Sequence, residues 1–198
     1  MLKSFGPTIA RVHAKEALRA GLGAMVGLGL AGLFLLSPQV DPAWGLYLVA
    51  PFGATSVLLF AVPNSPLAQP WAAIVGNTVA ALVAVAVSLV IDDPLTRVVV
   101  SVGLAISVTM ICRALHPPAG AVAMTAALSP GAIDSLGFWF AITPIAAGTT
   151  ALVLIAIGYA RLTGRRYPFR HFEDTGPDRT ENLSSVARLG LSEEELSS

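Results

Sequence analysis

Apolar residues fill six successive segments of the chain, and short turn-forming clusters separate them. The first runs from about Arg19 to Leu36 and ends at Ser37-Pro38 and the Asp41-Pro42 turn. The second, about Gly45–Val62, is closed by Pro63-Asn64-Ser65-Pro66. The third, Trp71–Ile91, stops at Asp92-Asp93-Pro94, and the fourth, Leu95–Cys112, at Arg113. The fifth, Pro117–Leu128, stops at Ser129-Pro130-Gly131, and the sixth, Leu136–Ala160, is followed by Arg161, Arg165 and Arg166. The pattern predicts an all-α, polytopic membrane helical bundle. Spanning about 30 Å of hydrocarbon takes roughly 20 helical residues. Segments one, three, four and six approach that. The fifth, at 1.5 Å per residue, reaches only about 18 Å, and the second carries Pro51 and Gly53 near its start. Short or broken helices at membrane depth are tolerated where they are buried in protein or line a water-filled cavity.

These two segments also share a motif. Pro51-Phe52-Gly53-Ala54, closed by Pro63, matches Pro118-Ala119-Gly120-Ala121, closed by Pro130, at a constant offset of 67 residues. Each motif sits between two long apolar segments, so the chain divides into two three-segment repeats, about 19–91 and 95–161. Three segments per repeat is an odd number, which makes the repeats inverted in topology if every segment crosses. Many secondary transporters place their sites at such paired breaks.

Composition fits this reading. Hydrophobic residues make up 55% of the chain, charged ones 12%, and the mean hydropathy is +0.73. Between residues 20 and 160 the charged residues are Asp41, Asp92, Asp93, Arg97, Arg113 and Asp134, with neither Lys nor Glu. Six charges cannot cover a water-facing surface of that length. Net charge is zero, which leaves no electrostatic footprint for nucleic acid. The lone Cys112 excludes an intramolecular disulfide and a Cys-rich metal site. The basic residues before the first segment resemble a signal peptide, but the run is too long for one and lacks a cleavage site, so it reads as a retained span. Residues 1–18 form a basic leader. Residues 162–198 are polar and read as a disordered cytoplasmic tail too short for a regulatory domain. Lys and Arg at both ends place both termini in the cytoplasm by the positive-inside rule. Six crossings satisfy this with Arg97 as the exception; four crossings with two re-entrant hairpins also give an even number.

The residues that could carry chemistry cluster at the breaks. In Arg113-Ala114-Leu115-His116-Pro117-Pro118-Ala119-Gly120, the paired prolines end one helix and open another. A helix N-terminus favours anions, Gly120 permits close approach, and Arg113 and His116 could face one polar cavity. Equally, Arg113 could snorkel to the interface, and His116 could be a helix-capping group. Other candidates for a substrate pathway are Thr55 and Ser56 beside Gly53, then Asn64, Ser65 and Gln69 in the next loop, Asn77 in the third segment and Thr125 in the fifth. Asn77 needs partners in hydrocarbon, as interhelical glue or as pore lining. The glycines of the first segment, among them Gly23 and Gly27, suit close packing. No catalytic motif, no metal-ligand spacing and no cofactor signature is present, so an enzyme is not expected.

At Leu115-His116-Pro117-Pro118-Ala119-Gly120-Ala121 the chain resembles the HPP family of integral membrane proteins, and Pro51–Phe60 and Asn64–Pro70 resemble that family's other typical stretches. The likeness covers about residues 15–160. It implies a role in transport, with nitrite the named candidate, and assigns His116, Pro117, Pro118 and Gly120 to one motif and Gly53, Ser56, Asn64, Ser65 and Gln69 to the other. Some members carry CBS domains, which residues 162–198 do not supply. The expected protein is a transporter or channel for a small inorganic anion in a bacterial inner (plasma) membrane, without cofactor, with self-association left open. The alternative is a non-transporting scaffold or sensor subunit acting through its tail.

Overall fold

A computed structural model describes residues 11–35 and 50–169. Among them every regular element is helical: α1 Ala14–Leu35, α2 Ala50–Ala61, α3 Pro70–Ser88, α4 Pro94–Ile111, α5 Pro118–Ala127, α6 Pro130–Leu136 and α7 Ala141–Leu162. Four of these are long and apolar enough to cross a membrane, namely α3, α4, α7 and the Ala14–Leu33 part of α1. The start of the second apolar segment, residues 45–49, lies outside the described residues.

Proline opens much of this architecture. It stands in the first turn of α3, α4, α5 and α6, where its missing N–H would have had no partner in any case. Asp93 caps α4, its carboxylate accepting from Thr96 N–H at 2.8 Å. The other end of α4 closes with Arg113 in the left-handed region, φ 54°. There Ala114 N–H reaches Thr109 O at 2.9 Å and Arg113 N–H reaches Met110 O at 3.0 Å. That is the paired bonding of a Schellman motif, with arginine where glycine is usual.

The sixth apolar segment forms one long helix from near its start, and a short helix, α6, precedes it. Gly137, φ 52°, ends α6 with its N–H on Ile133 O at 2.7 Å, a conformation that a residue with Cβ resists. The helix that follows opens with a π-helical stretch, Ala141–Ala147, with Pro144 inside it. A wider turn accommodates a residue that has no N–H to give. A second π-helical stretch, Val57–Ala61, ends α2.

α3 is the hub. It packs against α4, α5 and α7, while α1 packs against α7 and the end of α2. Its buried face is largely alanine, including Ala73, Ala80, Ala81 and Ala84, and meets Ala119, Ala123 and Ala126 of α5 in one core cluster. Small side chains let helices approach closely without a hydrophobic driving force from water. Two glycines of α1 act in this way. A Cβ on Gly23 or Gly27 would stand 2.6 or 2.7 Å from the Phe60 ring, whereas Gly21, Gly29 and Gly32 face open space. Outward, Leu18, Met25, Leu95, Val99, Ile111 and Leu154 are exposed, the surface an integral membrane protein offers to lipid.

One end of the bundle is closely tied. Arg19 donates to Phe60 O at 2.9 Å, and Tyr159 Oη–H donates to Arg19 O at 2.8 Å. Glu16 pairs with Arg19 and with Arg165. Residues beyond α7 fold back onto the α2–α3 loop: Tyr167 Oη–H donates to Ala68 O at 2.8 Å, and Phe169 N–H to Gln69 Oε1 at 2.7 Å. The start of α1 and the ends of α2 and α7 therefore share a face with the start of α3. Residues from 170 on, most of the expected tail, lie outside the described residues, as do residues 1–10.

Candidate functional site

The His116 segment seats directly on α3. Gly76 makes this possible: a Cβ there would lie 2.5 Å from Ala114 O and 3.0 Å from His116 Cβ. With no side chain in the way, the chain between α4 and α5 presses onto α3, and His116 is turned inward and buried.

Both ring nitrogens of His116 are then engaged. Nδ1 lies 2.7 Å from Leu67 O and Nε2 lies 3.1 Å from Thr55 Oγ1. A carbonyl only accepts, so Nδ1 carries the proton, and in the neutral ring Nε2 becomes the acceptor. Thr55 therefore donates its hydroxyl proton to Nε2. Its oxygen accepts in turn from Asn77 Nδ2 at 3.3 Å, and the same amide nitrogen donates to Thr149 Oγ1 at 3.2 Å. The Leu67 carbonyl thus sets the direction of the chain from His116 through Thr55 and Asn77 to Thr149. It joins the α2–α3 loop, the approach to α5, and helices α2, α3 and α7. Thr55, Asn77 and Thr149 have no exposed surface at all, and His116 has 1%.

Two polar atoms of this region remain without a hydrogen-bond partner among the described residues, Asn77 Oδ1 and Ser56 Oγ. Thr55 and Thr149 flank the two π-helical stretches, Val57–Ala61 and Ala141–Ala147. Asn77 therefore ties together the two places where the helical backbone is widened, a feature that often marks functional sites.

The repeated motifs meet across an apolar groove of about 350 Å³, lined by Ala54, Val57 and Leu58 of α2 and by Pro117, Pro118 and Ala121. Ala54 and Ala121 are the fourth residues of the two P-x-G-A motifs. Gly53 and Gly120 both border open space rather than a close neighbour.

The remaining residues named from the sequence are dispersed. Arg113 is exposed and does not join the His116 cluster. Pro117 is exposed and Pro118 buried; Thr125 is half-buried on α5. The first amides of α5 are occupied locally, Ala119 N–H on His116 O at 2.8 Å and Gly120 N–H on Pro117 O at 3.1 Å. Ser65 accepts from Leu67 N–H at 3.2 Å, and Gln69 donates to Pro63 O at 2.9 Å and Ser65 O at 2.8 Å. These two residues shape the loop that presents Leu67 O to His116. Asn64 is exposed beside a cavity of about 300 Å³ that also touches Glu16 and Arg165. Sequence reasoning missed Gly76 and Thr149. Gly76 precedes Asn77 directly, and a small residue beside a buried amide is a usable signal; nothing in the local sequence distinguishes Thr149.

Comparison with known proteins agrees with this architecture. The family model for the HPP transmembrane region matches residues 9–168. Two curated relatives from Dictyostelium discoideum, each named a transmembrane protein, are similar. One is 35% identical over 80% of this chain and 52% of its own length, the other 31% identical over 81% and 50%. The chain thus spans about half the length of these relatives. They are eukaryotic proteins and lend nothing to a bacterial inner membrane. No solved structure matches the chain.

Proposed function

We propose a function from one premise: this chain belongs to the HPP transmembrane-region family. On that footing it is an integral membrane protein that forms a pathway for a small inorganic anion, nitrite being the leading candidate.

The observation that carries the reading is the buried polar chain from His116 to Thr149, with Asn77 Oδ1 and Ser56 Oγ left over beside it. An amide oxygen without a partner in an apolar interior costs about 1–3 kcal/mol. Polar groups kept at membrane depth commonly line the route of a solute and its water. Here Ser56 would donate to the anion, and Asn77 Oδ1 would accept from a water that travels with it.

The arrangement of elements supports a transporter-like pathway. Each half of the chain has a long helix, a short helix opened by P-x-G-A, and a second long helix. The ties at one end of the bundle support a reading in which α1, α2 and α3 run up, down and up, and α4, α5 and α7 down, up and down. On this reading the two halves are inverted three-segment repeats, with solute passing between them. Lys15, Arg19, Arg161 and Arg165 lie at the same end, which favours a cytoplasmic location for both termini.

The test is nitrite uptake into proteoliposomes containing the purified protein, beside empty vesicles and the His116→Ala variant. Protein-dependent uptake that falls at least tenfold in the variant is expected. No flux with nitrite, nitrate, formate or bicarbonate would sink the pathway reading and favour a scaffold or sensor role.

A further inference from the structure

The His116 cluster offers an anion few donors, because its imidazole, its threonine and the first amides of α5 are already engaged. Unused donors lie elsewhere, on the buried face of α4. Arg97 is 8% exposed and Ser101, one turn further on, is fully enclosed. Neither Arg97 Nε nor Ser101 Oγ has a hydrogen-bond partner among the described residues.

Many hydroxyls on the helices of this molecule are bonded to their own backbone. Thr78, Ser88, Ser107, Thr109, Thr150 and Thr163 all donate to the carbonyl four residues before them, at 2.6 to 3.1 Å. That is the ordinary resort of a hydroxyl in an apolar helix. Ser101 does not take it. Arg97 has Asp93 one turn earlier, and the two attract, but Asp93 is spent on Thr96 N–H and forms no ion pair with Arg97. The other described ionic groups that pair, Glu16, Arg19 and Arg165, lie at the opposite end of the bundle.

Depth adds a third polar atom. The ten residues of α5 climb about 15 Å from the α4–α5 connection, as far as Ser101 lies back along α4. α5 packs against α4, so its end comes to the level of Ser101. At about that depth Ser129 Oγ is also buried without a partner among the described residues. A guanidinium with a buried hydroxyl, its neighbouring Asp93 carboxylate bonded to Thr96 N–H rather than to it, is the donor set of an anion site.

We propose that Arg97 and Ser101, with Ser129 at a similar depth, form a binding station for a small monovalent inorganic anion, remote from His116 on the same pathway. This rests on the pathway reading above and names where its anion is held by charge. A solute would meet Arg97 at one end of the bundle and the neutral His116 chain toward the other.

The test is equilibrium binding with the full chain in detergent, which does not depend on transport. Thermal unfolding is followed in sodium nitrite and in sodium gluconate at matched ionic strength, with chloride and formate as competing probes. Nitrite should raise the midpoint by several degrees in the parent protein. The shift should vanish in Arg97→Gln, shrink in Ser101→Ala and survive in part in Arg97→Lys. Ser101→Ala keeps the charge and serves where Arg97→Gln does not fold. An equal shift in the parent and in Ser101→Ala, or no nitrite-specific shift in the parent, overturns the station. Flux without an Arg97-dependent shift would leave the pathway standing and remove this site. An Arg97-dependent shift without flux would do the reverse.

Discussion

Thr55 of α2 and His116 at the mouth of α5 stand 61 residues apart in sequence and share a buried hydrogen bond of 3.1 Å. Thr55 directly follows the first P-x-G-A motif and His116 lies just before the second. The bond therefore couples the two halves of the chain through a hydroxyl rather than through apolar contact alone. Because His116 is fixed by Leu67 O, every donor along the chain has a set direction, and loss of one member leaves its neighbours bare in an apolar interior.

Replacing Thr55 by Val keeps the shape and deletes the hydroxyl. His116 Nε2 loses its donor and one Asn77 amide proton loses its acceptor. The expected cost is about 1–3 kcal/mol, the range for stranding buried polar groups. Thr55→Ser keeps the hydroxyl and should cost about 1 kcal/mol or less, by the loss of one methyl group. Thermal unfolding of both variants in detergent checks this; equal losses would mean that the methyl group, not the hydrogen bond, matters at Thr55.

Gly76 and Gly103 should respond to alanine with opposite signs. At Gly76 the new Cβ would meet the Ala114 carbonyl at 2.5 Å, a backbone atom that cannot rotate aside. Overpacking of that kind costs about 1–3 kcal/mol and should displace His116 from Leu67 O. At Gly103, on the exposed side of α4, a Cβ meets nothing within 4 Å. There the better helix propensity of alanine should stabilise by up to about 1 kcal/mol. Should Gly76→Ala be as stable as Gly103→Ala, the close seat of the His116 segment on α3 is wrong.

The apolar runs, their prolines and the shortness of the fifth segment were legible because length and helix-breaking chemistry are local properties. Asn77, Thr55 and His116 were legible as polar residues in apolar company. Their union was not, since it depends on how α2, α3 and the α4–α5 connection pack. Sequence spacing suggested that Arg113, three residues before His116, could share its cavity. The left-handed turn at Arg113 sends the two side chains apart, and left-handed arginine is not a conformation that spacing announces. The break at Gly137 was hidden for a related reason: a glycine in an apolar run is compatible with a continuous helix until its φ is known. Arg97 stood out in the sequence as an exception to the charge rule, whereas its burial on α4 depends on packing that local sequence does not show.

Gln69 should act as a clasp. Its amide donates to Pro63 O and Ser65 O, and its carbonyl accepts from Phe169 N–H, so Gln69→Ala removes two bonds that shape the α2–α3 loop and the one that holds Phe169 against it. Limited trypsin digestion in detergent should then cut after Arg165 or Arg166 several times faster than in the parent protein. Cleavage at an unchanged rate would show that Tyr167, buried with its hydroxyl on Ala68 O, holds the segment without help from Gln69.

Asp93 predicts a pH effect with a definite sign. Its carboxylate is held below the usual aspartate range, first by the Thr96 backbone N–H, then by the Thr96 hydroxyl, with a smaller attraction from Arg97. A folded-state pKa below the unfolded one means that the unfolded chain binds the proton more readily. Stability therefore rises with pH through this window. The contribution is complete above the ordinary aspartate value of about 3.9 and is lost as pH falls through the lower, folded value. Asn is also a good N-cap but does not titrate. Asp93→Asn should therefore match the parent near pH 7 and show a shallower decline in unfolding midpoint below pH 4. Asp93→Ala should be less stable at both values, having lost the cap as well as the charge. Because Asp93 lies on the surface, the whole effect is small, and it is read as a difference between the two pH profiles. Parallel profiles for the parent and Asp93→Asn would place the acid sensitivity in another carboxylate.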